Sequence, residues 1–273
     1  MEGAPTLTEH TVAEAAAAAG VAPGPGWVRF AASTGSTNVD VLELVDAGAP
    51  DWTMLVAGHQ EAGRGRLGRA WREPPGSSLL VSILIPSPAD PSDAPLASLA
   101  AAVAMVGALR EACGVDARCK WPNDLTVGGR KLGGILAEMR VQGGRPDRLV
   151  VGVGVNVLQG AGDLPEALRA TATSVSIEGG RTDLAPLLRS YLAGLRTLYR
   201  PAEPSFAAAI LARYRPACET IGMRVRAVGS DGRAVEGPAI AVGDAGELLV
   251  DVGGATAAIT FGEVVHVRPS PPG

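Results

Sequence analysis

Two glycine pairs, Gly128-Gly129 and Gly143-Gly144, constrain this fold more than any other feature of the chain. Each separates runs rich in Val, Ile and Leu. Residues 125–127 lead into the first pair, 131–141 lie between the two, and 149–157 follow the second. A glycine pair accepts the positive φ angles of a tight hairpin, so the runs on either side pair antiparallel. The last run, Leu-Val-Val-Gly-Val-Gly-Val-Asn-Val, reads as a buried strand with glycines where something approaches closely. Residues 27–31, 53–57, 77–85 and 118–121 also read as strands, 77–85 as a nearly continuous apolar run.

Helices follow from the other period. Residues up to about 25 hold a short Ala-rich helix and a Pro/Gly linker. Val39, Leu42, Leu44 and Val45 mark a helix ending at Gly48. A long one spans 93–112 and stops at Gly114. Two more span 184–199 and 204–214, the first with Leu187, Leu188, Leu192, Leu195 and Leu198 on one side. Helices packed on one face of a mixed, largely antiparallel sheet make an α+β domain. Beyond Pro216 the texture changes to short Val/Ile/Ala strands. Turns at Ser230-Asp231-Gly232, Asp244-Ala245-Gly246 and Gly253-Gly254 predict a small β barrel. The expected division is an extension at 1–25, a catalytic-size domain at 26–217 and a β module at 218–273.

The formal net charge of −4 sets up no overall basic field for nucleic acid or an anionic membrane. Against that background, Gly63-Arg64-Gly65-Arg66-Leu67-Gly68-Arg69 stands out. Core packing has no use for arginine at alternate positions. A glycine-threaded loop of guanidinium forks and backbone N–H groups suits a phosphate or carboxylate, so the ligand is a small anion. The glycines match G-x-G-x-x-G literally, but Pro74 and Pro75 stop the helix a dinucleotide site requires. Lys120-Trp121-Pro122-Asn123-Asp124 adds a cation, an aromatic, an amide and a carboxylate. Lys131 opens a strand and so stands at a sheet end. Ser36-Thr37-Asn38 suits helix N-caps. Asn156, between valines, is a buried amide that needs partners. The three histidines are isolated. Cys113, Cys119 and Cys218 show neither metal-ligand spacing nor a disulfide framework, which fits reduced thiols in a cytoplasm. No leader is expected, and the apolar helix within 96–109 is expected to be too short to span a bilayer.

Together these segments resemble the biotin protein ligase family. The resemblance runs through Ser36-Thr37-Asn38, Gln60, the arginine loop, Lys120-Trp121-Pro122-Asn123-Asp124, Arg130-Lys131-Leu132-Gly133-Gly134-Ile135-Leu136 and Val153-Gly154-Val155-Asn156, in that order. It implies a class II synthetase-like catalytic domain and a C-terminal SH3-like barrel. It further implies that biotin and ATP give biotinyl-5′-AMP, whose biotin passes to a lysine of a biotin carboxyl carrier domain. By resemblance, Ser36, Thr37, Asn38 and Gln60 contact the biotin head group. Arg64, Gly65 and Arg66 close on biotin and the adenylate, with Gly133 and Gly134 beside them. Lys131 stabilises charge in both steps, and Asp124 orients or deprotonates the incoming lysine. Arg69, Lys120, Asn123 and Asn156 serve the nucleotide. Mg²⁺ accompanies ATP without a dedicated protein cage. No room appears for a DNA-binding segment before residue 30, so neither DNA nor membrane is an expected partner. No tryptophan follows Asn156 to pack on adenine. A lipoate or octanoate ligase or transferase of the same fold is the alternative.

Overall fold

The first glycine pair turns as predicted, with φ of 56° at Gly128 and 75° at Gly129. The computed structural model describes residues 7–88, 90–142, 145–229, 232, 234–260 and 262–266. The second pair, Gly143-Gly144, lies outside the described residues, as do Ser230 and Asp231. In chain order the first domain holds α1 (Glu9–Ala18), β1 (Val28–Ala31), α2 (Thr37–Asp46), β2 (Met54–Ala57), β3 (Ser78–Ile85) and α3 (Ala94–Ala108). It continues through β4 (Arg118–Lys120), β5 (Asp124–Val127), β6 (Arg130–Gln142), β7 (Arg145–Asn156), α4 (Leu184–Leu198) and α5 (Phe206–Ala217). The strands form one sheet in the order β1-β2-β3-β7-β6-β5-β4. Every neighbour pair is antiparallel except β1 with β2.

Helices cover both faces of this sheet, not one. Met54, Val56, Ile83, Ile85, Leu149 and Val151 join the core shared with α1, α3, α4 and α5. Their alternate neighbours Leu55, Leu84 and Val150 face the other way and pack under Val41 and Val45 of α2. The physical reason is visible in β3, whose residues are all buried. A strand apolar at every position must be covered on both sides.

The long apolar helix is also longer than expected. A 3-10 turn at Pro91–Asp93 leads into α3, and a π turn at Leu109–Cys113 extends it until Gly114 turns left-handed at φ 76°. That helical stretch is long and apolar enough to cross a membrane by length and composition, but 67% of its apolar window is buried inside the protein. Leu96, Leu99 and Met105 lie in the main core with Leu188, Leu192 and Leu195 of α4.

The second sheet comprises β8 (Arg224–Gly229), β9 (Ala234–Val242), β10 (Leu248–Asp251), β11 (Thr256–Ile259) and β12 (Gly262–His266), ordered β11-β10-β9-β8-β12. It is fastened to the first domain through Trp121. That side chain is buried, its indole N–H donates to the Gly246 carbonyl at 2.9 Å, and its backbone N–H donates to Thr220 Oγ1 at 3.0 Å. Gly246 turns at φ 85° with its α-carbon set against Leu96 and Leu99 of α3.

Candidate functional site

One cavity of about 720 Å³ gathers the segments that the sequence singled out. It is lined by the start of α2, the arginine loop, the β4–β5 turn, the start of β6, the end of β7 and residues 264–265 of β12. Ser36, Thr37, Asn38, Gln60, Arg64, Gly65, Arg66, Arg69, Lys120, Asn123, Asp124, Lys131, Gly134 and Asn156 all face it. Gly133 stands behind the lining, where an added Cβ would meet the Gly154 carbonyl at 2.5 Å.

At one end the lining is hydroxyls and amides. Ser36 holds the N-cap position of α2 but makes no side-chain cap bond. The cap comes from across the cleft. Gln60 Oε1 accepts from the Thr37 backbone N–H at 2.9 Å and from Thr37 Oγ1 at 3.0 Å. With its oxygen used twice, the Gln60 amide offers its N–H groups as donors. Asn38 donates to the Leu136 carbonyl at 3.2 Å and to Glu138 Oε2 at 2.7 Å, and accepts from Ser82 Oγ at 2.5 Å. It rests on Gly152, where an added Cβ would stand 2.1 Å from Asn38 Oδ1. The close approach that the Gly-Val-Gly pattern predicted is therefore by the protein's own groups. Asn38 takes the notch at Gly152. Trp71 takes the one at Gly154, where its Cε2 would lie 2.9 Å from an added Cβ.

The arginine loop is a small hairpin. Gly65 N–H donates to the Arg69 carbonyl at 2.7 Å and Trp71 N–H to the Gly63 carbonyl at 2.9 Å. Between them Arg66–Gly68 forms a 3-10 turn in which Leu67 takes φ 55° and is 71% exposed. Arg64 Nη2 donates to Glu138 Oε1 at 2.8 Å, and Arg66 Nη1 reaches Asn123 Oδ1 at 3.4 Å. Burial pushes the Arg66 guanidinium below arginine's usual range, nearby Asp124 opposes that shift and Arg69 adds to it.

The other end is cationic. Lys131 Nζ donates to Asp124 Oδ1 at 2.5 Å. Strand pairing sets this up: Asp124 sits opposite Gly134, and a bulge after Leu125 brings Thr126 opposite Lys131. The Lys131 backbone is gripped by residues 171–173, its N–H donating to the Thr171 carbonyl at 2.7 Å and its carbonyl accepting from Thr173 N–H at 2.8 Å. Asn123 is tied to Ile135 in both directions, at 2.8 and 2.9 Å. Lys120 and Arg69 line the same end. Asn156 finds its partners within the protein, donating to the Thr173 carbonyl at 3.0 Å and accepting from Gln159 Nε2 at 3.3 Å.

Sequence reasoning missed Trp71, Glu73, Glu138 and the barrel residues. Glu73 lines the cleft and accepts from the Gln60 backbone N–H and from His59, both at 3.1 Å. Burial raises its carboxyl pKa, while the Gln60 bond and His59 pull the other way. His266 meets Thr220 Oγ1 at 3.2 Å, and burial, helped by Lys120, lowers its pKa. A Trp two residues past the last loop arginine was the available signal for Trp71.

Comparison with known proteins adds an independent line. The Biotin/lipoate A/B protein ligase family model matches residues 31–156. The biotin--[acetyl-CoA-carboxylase] ligase of Mycobacterium tuberculosis is 36% identical over 259 residues, 91% of this chain and 92% of that protein. The bifunctional ligase/repressor BirA of Bacillus subtilis is 36% identical over 166 residues, 60% of this chain. That match spans about half the relative's length, 51%. The structure of the Aquifex aeolicus biotin protein ligase in complex with biotin and ATP superposes with a TM-score of 0.70. It shares 25% identity and covers 88% of this chain and 98% of that one. The two sheets and the cleft thus define a catalytic domain of the biotin/lipoate ligase class, and within that class the chain belongs to the biotin protein ligase family.

Proposed function

We propose that this chain is an ATP-dependent biotin protein ligase, which makes biotinyl-5′-AMP and passes the biotin to a lysine of a biotin carboxyl carrier domain. The observation that carries this reading is the two-ended cleft. A neutral end of hydroxyls and amides suits the ureido head group, and a cationic end suits a carboxylate meeting a triphosphate. In the first step the biotin carboxylate attacks the α-phosphate and pyrophosphate leaves. Two anions must approach, so cations at both are required. Arg66 and Lys131 supply them, with Arg69, Lys120 and Asn123 toward the nucleotide. In the second step a carrier lysine attacks the acyl carbon and AMP leaves. Asp124, held beside Lys131, orients or deprotonates that amine.

Among the described residues no group of three or more His, Cys, Asp or Glu could hold a metal ion. In this reading Mg²⁺ is brought to the cleft by the phosphates of ATP. The division into a catalytic unit at 26–217 and a barrel at 218–273 belongs to the same proposal, as does a cytoplasmic location, which the buried free cysteines suit.

The test is incubation of the purified protein with ATP, biotin and a carrier domain. Biotinylated carrier and pyrophosphate are the expected products. Transfer of lipoate or octanoate in preference to biotin would overturn the assignment.

A further inference from the structure

Glu138 touches both the arginine loop and the head-group end of the cleft without lining the cavity. It lies on β6 opposite Val150 of β7, on the sheet face that α2 covers. One carboxylate oxygen accepts from Asn38 Nδ2 at 2.7 Å and the other from Arg64 Nη2 at 2.8 Å. Its side chain is 22% exposed and that of Arg64 51%, so the ion pair is partly screened by solvent and is anchored by the more buried carboxylate. Charge in the cleft is consequently uneven. Arg64 is matched by Glu138 where the lining is hydroxyls and amides. Arg66, Arg69, Lys120 and Lys131 line the cleft with Asp124, while Glu73 beside Gln60 and the neighbouring Arg72 add one charge of each sign.

Resting on the biotin-ligase reading, we propose that Glu138 is a specificity-determining residue that acts through Arg64. It neutralises the guanidinium at the head-group end, so that end accepts an uncharged ring and offers a carboxylate no net attraction. The substrate is thereby inserted in one direction, with its carboxylate toward Arg66 and Lys131. Glu138 also seats Arg64 against Asn38, which sets the loop over the floor of the cleft. Both effects depend on its charge. A glutamine would still accept from Asn38 through its oxygen, but would turn an N–H toward Arg64.

The experiment uses full-length Glu138→Gln, Glu138→Asp and the double variant Arg64→Ala/Glu138→Gln. The probe is suberate, a straight-chain dicarboxylate that presents a carboxylate at both ends, with octanoate as the single-ended control. Binding is read by calorimetry and by inhibition of pyrophosphate release, and melting temperature checks folding. In Glu138→Gln, suberate should bind about two- to fivefold tighter, the size of one half-exposed ion pair. Octanoate should be unchanged, and KM for biotin should rise with little change in kcat. The charge-retaining Glu138→Asp should resemble wild type, and the double variant should lose the suberate gain. A purely structural role predicts equal effects on both acids. Glu138→Gln binding suberate no tighter than wild type, or a gain that survives Arg64→Ala, overturns the inference. Wild-type protein that fails to biotinylate a carrier overturns the parent reading instead, because the calorimetric comparison does not depend on turnover.

Discussion

Gly152 decides where Asn38 stands, although it has no side chain of its own. Replacing it by alanine sets a methyl 2.1 Å from Asn38 Oδ1 and separates that amide from Ser82 and Glu138. Gly152→Ala should lower stability by about 1–3 kcal/mol, the cost of overpacking plus unpaired buried polar groups. It should also raise KM for biotin, while adenylate supplied directly is still transferred. A melting curve with biotin titration checks this, and unchanged values would count against Asn38 as part of the floor. Lys131 is the opposite case, a residue whose loss leaves the core intact. Its side chain is 43% exposed on the cleft and paired with Asp124. Lys131→Ala should keep its melting temperature and lose on the order of 10²–10³ in ligation rate, as removal of one preorganised charge does. Lys131→Arg keeps the charge but not the compact geometry, so it should be impaired as well. Separate assays of pyrophosphate release and of transfer from biotinyl-AMP locate the loss. Near wild-type rates in both would move the catalytic charge to Arg66 or Lys120.

The element that joins the two sheets is the segment 120–124. Trp121 enters the barrel while its neighbours Lys120 and Asp124 face the cleft, so one short turn ties module to site. Trp121→Phe keeps most of the packing and deletes the bond to Gly246. It should cost about 1–2 kcal/mol, a few degrees in melting temperature, and slow pyrophosphate release by loosening Lys120 and Asp124. An unchanged melting curve together with unchanged release would remove this coupling. Much at this scale was legible in the sequence. Glycine pairs, alternation and helical periods predicted the strands and helices, and cations with no packing purpose predicted the cleft. Sheet register was not legible. Glu138 meets Asn38 across 100 positions and Arg64 across 74, distances over which local periods say nothing. The arginine loop forms a hairpin with backbone bonds, and Glu138 supplies a counter-charge that the loop sequence alone did not reveal. The covering of the sheet by α2 was signalled only by the nearly continuous apolar run of β3.

At the scale of the whole molecule, the three cysteines are free and buried. Burial pushes the Cys113 thiol from its ordinary 9.0 up to about 11, and pushes Cys119 up as well. A raised folded pKa stabilises the protonated form. The contribution is complete below about pH 9 and is lost as the pH climbs toward 11. Buried Tyr191 and Tyr214, also pushed up by burial, act in the same direction. The melting temperature should therefore hold to about pH 9 and then fall. In parallel, iodoacetamide at pH 8 should label the native protein slowly and the denatured protein at all three thiols. Rapid labelling of native protein would contradict this packing. The Trp121 bond has a last consequence, in the order of synthesis. Trp121 leaves the ribosome 125 residues ahead of the Gly246 carbonyl that receives it. The larger sheet and the arginine loop can form while the second sheet is still being made, but the Trp121 indole N–H then has no carbonyl to receive it. A chain released early thus carries most of its basic residues but lacks the partner of Trp121 and the lining that Val264 and Val265 give the cleft.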